Sequence, residues 1–116
     1  MKTGKQSLLQ IQKDSSAVIN FIGTAYQATV TGTAQTLSEL ISAALPEKAN
    51  YVLIEVEASG TDYIRFWING QNPTTSIGFR RFDKEFFDIE GADNLNKFKC
   101  ITSGTVVLNI MFGIKQ

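Results

Sequence analysis

From Val106 to Ile114 every second residue is large and apolar: Val106, Leu108, Ile110, Phe112 and Ile114. A period of two places all five side chains on one face of an extended strand and on no single face of a helix. The same alternation recurs in Asn50–Ala58 through Val52, Ile54 and Val56, and in Tyr63–Ile68 through Ile64, Phe66 and Ile68. Shorter strand patterns occupy Ala17–Ile22, Tyr26–Thr33, Phe79–Phe82, Glu85–Glu90 and Lys97–Thr102, with Gly23 breaking the first from the second. Turn residues separate these runs about every ten residues, as in Ser59-Gly60-Thr61-Asp62, Asn69-Gly70, Gly91-Ala92-Asp93-Asn94 and Ser103-Gly104. The Gly91–Asn94 turn also has room for one turn of helix.

One segment has the other period. Leu37, Leu40, Ile41, Ala44 and Leu45 share a helical face, which predicts a helix over Thr36–Leu45. Thr36 and Glu39 have capping-box spacing at its start, and Pro46 ends it. The expected fold is therefore all-β: an antiparallel, jelly-roll-like β-sandwich of about eight strands with one short α-helix. The spacing predicts a hairpin joining Asn50–Ala58 to Tyr63–Ile68, and a second joining Lys97–Thr102 to Thr105–Lys115. A chain of 116 residues suits a single domain over residues 1–116, and no linker divides it. Residues 1–15 are polar and basic around Leu8, Leu9 and Ile11, which fits a first strand or an arm that orders on a partner.

Composition narrows the function. Eleven Lys and Arg balance eleven Asp and Glu, so no net field draws the chain to nucleic acid or to an anionic membrane. Zero net charge also means weak self-repulsion, which suits packing against copies or a partner. No stretch reaches the length of about 20 apolar residues that spans a bilayer, and no secretory signal is expected. Histidine is absent, which removes the usual proton shuttle and the commonest metal ligand. The lone Cys100 lies in a strand pattern and reads as a small buried hydrophobe. Asp83, Glu85, Asp88, Glu90 and Asp93 do not follow a calcium-loop pattern and read as solvated strand and turn positions. Arg80, Arg81, Lys84, Lys97 and Lys99 are their natural ionic partners. No nucleophile has a candidate base. The expectation is a protein that is not an enzyme, with no catalytic, cofactor-binding or metal-binding residues and no cofactor.

Two features point to contact surfaces. Tyr63, Arg65 and Trp67 share one strand face. Such a stripe stacks sugars or unpaired bases, packs across strands, or forms a subunit interface. On the last strand, Val107 and Met111 make the second face apolar as well, which points to oligomerisation. Gly113 interrupts that strand and implies a bulge or a close backbone approach.

The order of segments carries a family likeness. Thr36-Leu37-Ser38-Glu39-Leu40 gives "Thr-x-x-x-Leu" at the helix start. Ile64-Arg65-Phe66-Trp67-Ile68-Asn69-Gly70-Gln71-Asn72-Pro73-Thr74-Thr75-Ser76-Ile77-Gly78 gives "Ile-Arg-x-x-x-x-Gly-x-x-Pro-Thr-x-x-x-Gly". Leu95-Asn96-Lys97-Phe98-Lys99-Cys100-Ile101 gives "Leu-x-x-Phe-x-x-Ile" before the last strand. Over residues 28–112 the chain resembles small structural proteins of tailed bacteriophages and prophages. In that group Asp is frequent where this chain has Asn69. The resemblance implies a β-sandwich in the virion, capsid- or tail-associated, present in the host cytoplasm during assembly. Its implied partners are other virion proteins and further copies of itself, with neither nucleic acid nor membrane. It implies no catalytic residue. The alternative reading is a carbohydrate-binding β-sandwich module using Tyr63 and Trp67.

Overall fold

The computed structural model describes residues 18–116. The chain runs β1 (Ile19–Thr29), β2 (Gln35–Thr36), α1 (Leu37–Ile41), β3 (Tyr51–Ala58), β4 (Tyr63–Trp67), β5 (Phe79–Phe82), β6 (Phe86–Glu90), α2 (Ala92–Lys97), β7 (Lys99–Ile101) and β8 (Val106–Lys115). Two four-stranded antiparallel sheets result, in the orders β1-β8-β3-β6 and β2-β7-β4-β5. The pairs β1–β8, β2–β7, β3–β6 and β4–β5 are nested, as if one long hairpin had been wrapped on itself. That is the topology of an eight-stranded jelly roll.

The apolar alternation explains the layers. Val52, Ile54 and Val56 of β3 meet Leu108, Ile110 and Phe112 of β8 across the first sheet. Ile64 and Phe66 of β4 face them from the second sheet, within one continuous core that also holds Phe87, Phe98 and Cys100. Phe66 stacks on Phe87 at 4.8 Å and lies 5.5 Å from Phe98. Each such ring pair adds about 0.5–1.5 kcal/mol beyond its buried area.

Both expected hairpins are corrected. β3 and β4 lie in different sheets, as do β7 and β8. Their turns are corners that cross the sandwich, and they brace each other. Ser59 N–H donates to Thr105 C=O at 3.1 Å, and Thr105 N–H donates to Asp62 Oδ2 at 2.9 Å. Thr102 Oγ1 donates to Tyr63 C=O at 2.8 Å. Periodicity reports which face is buried but not which strand lies alongside, so a corner and a hairpin read alike.

Three other boundaries move. The predicted break at Gly23 becomes a bulge within one strand: Ile22 faces Phe112 and Tyr26 faces Ile110, so three residues of β1 oppose one of β8. Gly23 carries the required positive φ of 71°. α1 is five residues long, shorter than the expected Thr36–Leu45, because Ser42 turns left-handed at φ 55° and its N–H closes back on Glu39 C=O. The capping box at Thr36 and Glu39 is present. The Gly91–Asn94 turn extends into a second helix, α2, which delivers Leu95 to the core and shortens the following strand to Lys99–Ile101. Two short helices thus replace the single one expected. Gly113 serves a close approach, since a Cβ there would sit 3.1 Å from Asn20 C=O and 3.2 Å from Ile19. The proposed arm, residues 1–15, lies outside the described residues.

Candidate interaction surface

The five residues singled out from sequence divide between opposite sides of the sandwich. Tyr63, Arg65 and Trp67 lie on the outer face of the second sheet, with Ile64 and Phe66 alternating inward. Val107 and Met111 lie on the outer face of the first sheet. The two features therefore belong to two separate surfaces.

On the second sheet, register sets Arg80 beside Arg65 and Phe82 beside Tyr63. Tyr63 meets Phe82 edge-on at 5.2 Å, with the Arg65 and Arg80 guanidinium groups 5.4 and 5.9 Å from its ring centre. Trp67 meets Phe79 edge-on at 5.1 Å, and its indole N–H is buried without a partner. A stacked sugar would have to compete with these contacts. Arg65 also reaches past its strand: Nε donates to Thr75 C=O at 3.2 Å and Nη1 to Gly78 C=O at 2.9 Å. The Ile68–Gly78 loop is thereby tied to β4. Thr74 adds a turn by exchanging backbone hydrogen bonds with Ile77, and Pro73 is buried. Gly78 takes φ 140° with its α-carbon against Phe66 backbone, a position closed to any side chain. The braced loop projects Ile77 and Phe79, which are 57% and 55% exposed. Sequence reading singled out neither: Ile77 lies in a loop, and Phe79 opens a strand too short for its alternation to mark a face.

β5 is one edge of this sheet, opposite β2, and its outward backbone groups are partly occupied. Phe82 N–H donates to Glu85 Oε1 at 2.6 Å, and Arg80 C=O accepts from Arg81 Nη1 at 3.0 Å. Blunting of this kind discourages strand addition. Arg81 pairs in register with the inward Ile64, and its guanidinium lies over Phe66 and Phe87 at the open side between the sheets.

The first sheet's outer face has a second apolar cluster, in which Ile19, Phe21 and Phe86 pack on Tyr51 and Leu53. Beside it lies a groove of about 390 Å³ lined by Tyr26, Gln27, Leu53, Glu55, Phe86 and Met111, among others. Leu53, 5% exposed, forms its floor and Met111, 37% exposed, its rim. Asn109 Nδ2 donates to both Glu55 and Glu57 and holds the two carboxylates at this face. These residues occupy the alternate positions of strands whose other face is core. Sequence marked Val107 and Met111 among them but not Leu53, Phe86 or the glutamates.

The reading of the acidic run as solvated holds for Glu90 and Asp93 and is corrected at Glu85. Glu85 is 2% exposed and caps Phe82, so it is a buried structural carboxylate. Asp83 accepts from Ala58 N–H at 2.9 Å, and Asp88 accepts from Tyr51 Oη at 2.8 Å. Glu90 pairs with Lys115 and Asp93 with Lys97. Arg80 and Arg81 turn to aromatic rings in place of these acids. Burial, then the Asp88 hydrogen bond, pushes the Tyr51 hydroxyl well above its ordinary range. Cys100 is a buried hydrophobe, as expected, with burial pushing its thiol up to about 12. Among the described residues no three His, Cys, Asp or Glu side chains gather as a metal site requires.

No protein-family model, curated protein or solved structure matches the chain.

Proposed function

We propose that this chain is a structural component of a tailed-bacteriophage or prophage particle, capsid- or tail-associated, acting through protein–protein contacts. The observation that carries the reading is the Arg65–Gly78 segment. The residues that bear the likeness to phage structural proteins build a braced loop whose product is an exposed apolar projection, Ile77 and Phe79. Arg65 is the brace, Pro73 the buried anchor, and Gly78 the residue that lets the loop close on β4. Jelly rolls serve in viral capsids and in lectins alike, so the fold alone decides neither. The Tyr63 and Trp67 rings make contacts within the fold, which favours assembly over sugar stacking. Repetition in a particle turns weak contacts into a durable one.

The genes flanking this one supply the test. Capsid, portal or tail genes on either side are expected. A metabolic operon overturns the reading.

A further inference from the structure

The neutral total charge hides a segregation. On the outer face of the first sheet, register places Glu55 and Glu57 of β3 with Asp88 and Glu90 of β6, against the single Lys115 of β8. Among the described strand residues of this face, four carboxylates and one lysine leave three unbalanced negative charges. On the outer face of the second sheet, register places Arg65, Arg80 and Lys99, with no acid among its strand residues. That gives three positive charges on the strands, of which Lys99 lies within electrostatic reach of Glu39. Shape follows charge: the acidic face holds the apolar groove over Leu53, and the basic sheet carries the Ile77 and Phe79 projection at its edge.

The geometry points to a head-to-tail contact between copies of this chain, the basic face and projecting loop of one seating on the acidic, grooved face of the next. Like faces would bring charges of one sign together, so an isologous dimer through either face is opposed. A heterologous contact repeats: it closes into a ring or runs on as a filament. With strands about 4.8 Å apart and residues about 3.3 Å apart, the short strands of the second sheet offer about 200 Å² per copy, to which the Ile68–Gly78 loop adds. That is the small, transient class of interface, strong only by repetition. This deepens the assembly reading and rests on it for biological setting alone. A chain that stays monomeric removes the self-contact and leaves particle docking untouched, so the two can fail separately.

The test is sedimentation of the full chain from about 10 μM to about 1 mM, where contacts of this size populate. Self-association is expected at about 50 mM salt and at least tenfold weaker at about 500 mM. One variant, Glu55→Lys with Glu57→Lys, spoils the acidic face; another, Arg80→Glu with Lys99→Glu, spoils the basic face. Each alone is expected to be monomeric. Mixed, the intact basic face of one meets the intact acidic face of the other, and association returns. Near-ultraviolet circular dichroism checks folding, and Met111→Asn with Ile77→Ser replaces any variant that fails to fold. A wild-type monomer at the highest concentration overturns the proposal and gives the groove to the chain's own first 17 residues or to another protein. Retained self-association in either single-face variant overturns it in favour of a two-fold contact.

Discussion

Replacing Arg65 tests whether the loop behind β4 is held by one side chain. Arg65 donates two hydrogen bonds to backbone carbonyls, the part-buried one to Gly78 at 2.9 Å and the exposed one to Thr75 at 3.2 Å. A hydrogen bond from a charged donor contributes about 1.5–3 kcal/mol when shielded, and solvent reduces that for the exposed one. The guanidinium over Tyr63 adds about 0.5 kcal/mol at a surface site. Arg65→Ala is therefore expected to cost about 2–3 kcal/mol, which lowers Tm by about 10 °C or more in a domain of this size. Arg65→Lys keeps the charge and loses the fork, so it should recover less than half of that. Arg80→Ala, beside it in register, has only ring contacts and should cost under about 1 kcal/mol. Thermal unfolding followed by far-ultraviolet circular dichroism measures all three. Equal losses at Arg65 and Arg80, or full rescue by lysine, would refute the bracing argument.

Other outcomes follow from the same structure. Phe66→Ala removes a ring stacked on Phe87 and close to Phe98, and should cost about 3–5 kcal/mol in urea unfolding. Thr36→Ala removes the hydroxyl that accepts Glu39 N–H and should cost about 1 kcal/mol by the same measurement. Cys100 should resist a thiol reagent in the native state and react at the rate of unfolding. Its folded pKa lies above its unfolded one, so its contribution to stability is whole below pH 9.0 and declines toward about 12. Tyr51 shifts in the same direction, so stability should fall in alkali, and Tyr51→Phe should flatten that fall.

The sequence made the sandwich legible because burial in a sheet imposes a period of two. Val106 to Phe112 showed an inward face, and the structure buries all four of its apolar residues. Chain direction at the corners was not legible. Ser59–Asp62 has the chemistry of a hairpin turn, and only contact with Thr105, 43 residues from Asp62, makes it a crossing. Ser42 ends α1 early through a backbone angle that its residue type does not announce. At the surface, Tyr63, Arg65 and Trp67 were correctly placed on one face because alternation alone decides it. Ile77 and Phe79 became prominent only through the loop that Arg65 holds. The charge segregation was hidden for a simpler reason: composition sums over faces that the fold then separates.

The most direct measurement of the central claim is quantitative mass spectrometry of density-banded phage particles from a host that carries this gene. This chain is expected in the band, at a fixed ratio to the shell or tail proteins that survives further purification. Expression in the lysate together with absence from the particles would contradict it.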